Sequence, residues 1–255
     1  MRASRTHSGV PLTRRLLAEF LGTGLLVAIV IGSGIAAGRL SPDDTGLQLL
    51  QNSLTTVFGL GVLILLFGPV SGAHFNPVVS AVDWALGRRH GSGLSAADAA
   101  AYTAAQILGG TGGAVLANLM YELPPVTISG TARDGLGLWL GEFVATAGLI
   151  AVIVALARSG RAALSAVAVA SWIGAAYWFT SSTSFANPAV TIARMFSDTF
   201  AGIAPGSVPA FVLVQIIGAT IGAALAVSLY PDARAAAGDI VVPHEARTVA
   251  EGTTP

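Results

Sequence analysis

The sequence predicts an all-α membrane protein with six transmembrane helices and two re-entrant half-helices, arranged as an inverted repeat. Three observations carry this prediction. Of the 255 residues, 53% are hydrophobic and only 10% are charged, where soluble domains have roughly a quarter charged. Apolar stretches of about 20 residues recur, the length that crosses a ~30 Å hydrocarbon core. And the tripeptide Asn76-Pro77-Val78 returns as Asn187-Pro188-Ala189, each copy in an apolar segment too short to span.

The long stretches fall at about 15–37, 47–67, 98–120, 136–157, 163–181 and 207–229. The first is too long for a signal-peptide core and has no cleavage-like site after it, so it reads as a retained helix. The two short segments run from Asn76 to about Leu86 and from Asn187 to about Phe200. A helix of ~10 residues reaches ~15 Å, half a membrane. Each short segment opens with Asn followed by Pro, a helix start: the Asn side chain caps the first turn, and Pro fits the first helical position, where no N–H is needed. Residues 1–14 and 231–255 are polar and read as cytoplasmic tails around a membrane domain, 15–230.

Two further pairs show the repeat. Ala18-Glu19-Phe20-Leu21-Gly22-Thr23 matches Gly141-Glu142-Phe143-Val144-Ala145-Thr146, and Gln106-Ile107-Leu108-Gly109 matches Gln215-Ile216-Ile217-Gly218. The repeats cover about 15–120 and 136–230, each read as span, span, half-helix, span. Three spans per half is an odd number, so the second half is inverted, an arrangement that places a pathway near the midplane. All 13 basic residues are Arg, and in this topology ten lie on one side and Arg39, Arg133 and Arg194 on the other. That bias puts both termini in the cytoplasm. Glycines crowd the first, third and sixth spans, where small residues let helices approach closely.

The same composition excludes several functions. Net charge is zero, which gives nucleic acid no footprint, and the absence of Cys removes disulfides, thiol catalysis and Cys-based metal sites. A lone His74 offers no nucleophile–base pair, so no enzyme, cofactor or metal is expected. Glu19 and Glu142 are carboxylates inside spans and therefore functional candidates by default. Asp83 and Asp98 read as partners of Arg88 or Arg89, or as helix-terminal charges. A secondary active transporter also uses inverted repeats, and it would need one of these carboxylates to couple transport to protons.

Taken together, Ser71-Gly72-Ala73-His74-Phe75-Asn76-Pro77-Val78, Phe185-Ala186-Asn187-Pro188-Ala189, and the paired Glu-Phe and Gln-Ile segments resemble the aquaporin or major intrinsic protein family over residues 14–230. The resemblance implies a right-handed bundle, half-helices meeting at mid-membrane, a pore in each protomer and a homotetramer in the bilayer. It implies that Asn76 and Asn187 donate hydrogen bonds into the lumen. It also implies that Glu19 and Glu142 accept bonds from the re-entrant loops, and that His74 stands at the cytoplasmic entrance. Two positive helix ends at the midplane would repel cations and leave passage to small neutral solutes.

One position departs from the family. Water- and glycerol-selective members usually carry Arg three residues after the second Asn, and here that residue is Val190. Counting by the family pattern makes Ala175, Ser184 and Val190 filter residues, with Thr56 or, on a two-residue shift, Phe58 completing the set. Such a filter is uncharged, and with Thr56 it is small on every side. Arg194 lies one turn beyond Val190, where it either reaches the extracellular mouth or pairs with Asp198. The Val190 pattern looks like a bacterial branch associated with arsenic resistance. The expected activity is passive passage of water with glycerol-like polyols or neutral metalloid hydroxides such as arsenite, across a bacterial plasma membrane. A water-selective pore is the alternative within the class.

Overall fold

The computed structural model describes residues 9–90 and 92–231. Eight α-helices follow in order: α1 (Leu12–Leu40), α2 (Thr45–Ser71), α3 (Pro77–His90), α4 (Ala96–Met120), α5 (Leu136–Arg158), α6 (Ser165–Phe179), α7 (Pro188–Ala193) and α8 (Val208–Leu229), with no strand among the described residues. A 3-10 turn, Ala162–Leu164, leads into α6 and another, Arg194–Phe196, continues α7. Residues 1–8 of the first proposed tail and all of the second except Pro231 lie outside the described residues.

Local chemistry sets these boundaries. Asp44 caps α2 through Leu47 N at 2.8 Å, and Ser95 caps α4 through Asp98 N at 3.0 Å. Gly72, at φ 87°, ends α2 in the left-handed conformation that glycine adopts without steric cost. Helix α1 begins at Leu12, earlier than the sequence suggested, so Arg14 is helical rather than part of a tail. Arg15 is buried and pairs with Asp98 at 3.1 Å. Asp98 is thus a helix-terminal charge as read, and the ion pair it forms is with Arg15 of α1 rather than with Arg88. Asp83 accepts from Leu94 N at 2.6 Å and ties the end of α3 to the loop that follows.

Both half-helices differ in length from the sequence estimate. Helix α3 runs to His90, about one turn past Leu86. Helix α7 has only six residues and tightens into the 3-10 turn before reaching Phe200. Beyond it Ser197 donates to Asn118 Oδ1 at 2.7 Å, and the chain doubles back so that the Ala201 carbonyl meets Arg194 Nε. Those bonds replace the helical ladder.

The bundle is held by two mirrored helix pairs, α1 with α4 and α5 with α8. A Cβ on Gly109 would strike the Phe20 carbonyl, and one on Gly113 the Gly24 carbonyl. In the second half Gly218 stands against the Phe143 carbonyl and Gly222 against that of Ala147. The repeated glycines are therefore sites of backbone-to-backbone contact. Among the described residues, five helical segments are apolar enough to cross a membrane by length and composition, and α4 is not one of them. It has 25 residues, enough for about 37 Å. Small residues and the buried polar Tyr102, Gln106 and Asn118 dilute its hydropathy. It packs against α1, α3 and α7, and its polar groups bond inside the protein.

Gly113→Val should strain the α1–α4 crossing by about 2 kcal/mol and lower the midpoint of thermal unfolding in detergent. Gly112→Val, one residue away with no neighbour within 4 Å of its added Cβ, should leave the midpoint unchanged.

Candidate pore and filter

Two re-entrant loops face each other between the helices, and each carries the same backbone signature. The first and third residues before each Asn have positive φ: Ala73 and Phe75 at 50°, Ser184 at 52° and Ala186 at 48°. Such non-glycine residues cost roughly 1–2 kcal/mol each, so something must hold them. The holding groups are the two buried carboxylates. Glu19 Oε1 accepts from His74 N at 3.0 Å and Ser71 Oγ at 2.6 Å, and its Oε2 accepts from Phe75 N and Gln106 Nε2, both at 2.7 Å. Glu142 accepts from Phe185 N at 2.7 Å, Ala186 N at 2.9 Å and Gln215 Nε2 at 2.7 Å. Gln106 reaches on to Ser80 Oγ and Gln215 to Thr191 Oγ1, each in the first turn of a half-helix. Each Glu–Gln pair therefore fastens a loop and its half-helix to the bundle.

The two Asn side chains lock the loops to each other. Asn76 Nδ2 donates to the Ala186 carbonyl at 2.8 Å, and Asn187 Nδ2 donates to the Phe75 carbonyl at 2.8 Å. Their Oδ1 atoms cap the half-helices, Asn76 through Val78 N at 3.1 Å, Asn187 through Ala189 N at 3.0 Å and Val190 N at 3.3 Å. Each amide has two N–H donors. One is spent on the opposite loop, and the second remains for whatever occupies the space beside it.

That space is a cavity of about 60 Å³ running from His74 to Arg194, room for roughly four water molecules. Its apolar walls are four-residue stripes on four helices: Leu26 and Val30 on α1, Leu60 and Ile64 on α2, Leu149 and Ile153 on α5, Val169 and Ile173 on α6. Most of its polar groups come from the re-entrant segments: His74, Asn76, Ser184, Asn187 and Arg194. Pro77, Val78, Pro188 and Ala189 do not line it and form the first turns of α3 and α7 behind the Asn pair. His74 Nδ1 lies 3.1 Å from Ser80 Oγ, with the ring edge-on to Tyr102.

The filter candidates divide. Thr56, Ser184 and Val190 are buried and line the cavity, whereas Phe58 is 69% exposed on the outer face of α2. Ala175 does not join them: it is exposed on α6, outside the cavity. The residue that α6 presents at this level is Tyr177, whose hydroxyl lies 3.2 Å from Thr56 Oγ1. A two-residue miscount turns a side chain about 200° around a helix, enough to move it from lumen to lipid. The family count assumed a longer link to the second Asn than this chain has. The signal for Tyr177 was present in the sequence, since Val169, Ile173 and Tyr177 continue one four-residue stripe that Ala175 leaves.

Arg194 is 2% exposed and lines the cavity. It forms no ion pair with Asp198, which instead accepts from Gly130 N at 3.0 Å and Ser129 Oγ at 3.3 Å. Arg133, in the loop before α5, stands nearby and donates to the Gly202 and Phe200 carbonyls. Burial pulls its guanidinium below the ordinary value, though an arginine so shifted still carries its charge at neutral pH.

A bundle with paired re-entrant loops, a continuous cavity between them and lining residues from both halves defines a membrane channel. The family description "Major intrinsic protein" matches residues 6–182. Aquaglyceroporin AqpS of Rhizobium meliloti is 51% identical over 214 residues, covering 84% of this chain and 89% of that one. Aquaporin AqpM of Methanothermobacter marburgensis is 29% identical over 247 residues, covering 87% and 97%. An aquaglyceroporin from Plasmodium falciparum superposes with a TM-score of 0.58 at 20% identity, covering 86% and 96%, a likeness of fold. The chain belongs to the major intrinsic protein family. It is an integral membrane channel for small solutes, not an enzyme.

Glu142→Gln leaves one oxygen and one NH₂ where three donors converge. It should cost about 2 kcal/mol and raise amide hydrogen exchange at Phe185 and Ala186. Glu19→Gln should do the same at His74 and Phe75.

Proposed function

We propose that this pore passes small uncharged solutes larger than water, glycerol-like polyols and neutral metalloid hydroxides such as arsenous acid, together with water. The observation that carries the reading is Val190, a small apolar side chain on the cavity wall beside Ser184 and Asn187, where water- and glycerol-selective relatives usually carry Arg. An uncharged residue there widens the constriction and removes a donor that would otherwise hold a water file. Apolar stripes on the spans suit the carbon skeleton of a polyol, and polar groups on the re-entrant segments suit its hydroxyls. The name aquaglyceroporin borne by the Rhizobium meliloti relative supports the same class.

In this mechanism Asn76 and Asn187 each offer one amide N–H to a passing oxygen. The positive ends of α3 and α7 meet at that point and disfavour cations. Glu19 and Glu142 have both oxygens engaged by backbone and Gln donors. That engagement supports a passive pore over a proton-coupled transporter. The Arg bias supports cytoplasmic termini, with the His74 end of the pore inside the cell and the Arg194 end outside. Assembly as a homotetramer is part of the proposal and rests on the family.

The test is a stopped-flow panel on proteoliposomes with water, glycerol and arsenous acid. Wild-type protein should conduct all three down their gradients. Val190→Arg should cut glycerol flux roughly fivefold relative to water flux. Water flux alone, with no glycerol or arsenous acid passage, would make the pore water-selective and overturn the reading. Within the same panel, Tyr177→Ala should raise solute flux while Ala175→Leu leaves it unchanged, as their lumen-facing and outward positions require.

A further inference from the structure

We propose that Arg194 is the specificity-determining residue of the filter: it supplies the cation barrier and solute-facing donors that position 190 lacks, one helical turn further along the pore wall. The inference rests on the channel reading above and goes beyond it by assigning the charge. Three observations carry it. The guanidinium carbon lies 3.4 Å from the centre of the Phe185 ring, stacked on a residue that itself lines the cavity. Arg194 Nε donates to the Ala201 carbonyl, which fixes the plane of the group. Neither terminal nitrogen meets a hydrogen-bond acceptor or a carboxylate among the described residues.

A buried cation without a counter-ion is costly unless its free donors are solvated. Arg194 lines the cavity, so the cavity's contents must do the solvating. Its side chain is held on one edge and turns its remaining N–H groups to the permeant, the arrangement a filter donor needs. Arg133 reinforces the charge from behind. Its guanidinium carbon is 5.0 Å from the same Phe185 ring, and it donates from Nε to the Gly202 carbonyl and from Nη2 to the Phe200 carbonyl. No carboxylate among the described residues forms an ion pair with Arg194: Asp198 accepts from Gly130 and Ser129, Asp134 from Ser207, and Glu142 from the loop. The constriction therefore has two tiers. Val190, Ser184, Thr56 and Tyr177 set its width, and Arg194, about one turn further along the chain, sets its charge. Separating the two lets the pore widen for bulkier neutral solutes without admitting cations.

The experiment reads sodium conductance in planar bilayers beside water and glycerol flux in proteoliposomes, using the full chain. Arg194→Val should raise sodium conductance roughly tenfold with water flux retained, and Arg194→Lys should keep the barrier. The double change Arg194→Val with Val190→Arg should restore exclusion and lower glycerol flux, because the charge then sits at the narrow tier. An Arg194→Val channel that conducts water and excludes sodium as wild type does would overturn the proposal. Failure of wild type to pass glycerol, with sodium still admitted by Arg194→Val, would remove the polyol reading and sustain this one. If Arg194→Val does not fold, Phe185→Leu removes the stacking platform: a sodium leak supports the assignment and its absence overturns it.

Discussion

The pore depends on satisfying irregular backbone in the middle of a membrane. Hydrocarbon supplies no hydrogen bonds, so a chain that leaves its helix at mid-depth must find partners within the protein. Here one carboxylate per half does this. Glu19 takes the N–H groups of His74 and Phe75, and Glu142 those of Phe185 and Ala186. Those bonds hold four non-glycine residues in left-handed backbone. The same turns let the carbonyls of Phe75 and Ala186 receive the opposing Asn amides. Without the carboxylates the loops would lose both their shape and the bridge between them.

The duplicated design extends outward from that constraint. Gln106 and Gln215 connect each carboxylate to the first turn of a half-helix. Close α1–α4 and α5–α8 crossings, made possible by Gly109, Gly113, Gly218 and Gly222, hold the carboxylate and its Gln within reach. Backbone packing, a buried charge and loop conformation thus form one connected unit in each half. The halves diverge at their ends: α3 is a regular helix of 14 residues, while α7 stops after six and gives way to a tighter turn. That early stop brings Ala201 back to Arg194 and makes the two ends of the pore chemically different.

How far the site was legible follows from the range of each signal. The Asn-Pro pairs, the Glu-Phe and Gln-Ile repeats and the glycine positions are local patterns. Their physical consequences, a cap, a buried acceptor or a close approach, follow from residue type and place. Thr56 and Ser184 line the cavity where counting put them: the count to Ser184 covers three loop residues, and the count to Thr56 crosses the short loop 72–75 before running through regular helix. Ala175 was lost because the count crossed an irregular loop, where two residues more or fewer change which face of α6 meets the lumen. Tyr177 could have been recovered from its stripe with Val169 and Ile173. The partner of Asp98 could not, since Arg15 is distant in sequence and approaches only through packing of α1 on α4.

By itself, then, the sequence determined the class of the protein: an inverted repeat of membrane spans with two half-helices, an uncharged residue at position 190, and no material for catalysis. These are matters of composition, periodicity and spacing, which one dimension records. Tertiary structure decided which side chains share the lumen and what their donors face. Arg194 is the clearest case. Sequence left it between an ion pair with Asp198 and a place in the pore, and four-residue spacing allowed both. The turn after α7 separates the two residues, hands Asp198 to Ser129 and Gly130, and lays the guanidinium on Phe185 beside the cavity. A helix that stops early redirects everything after it, and where it stops depends on contacts with segments far away in the chain.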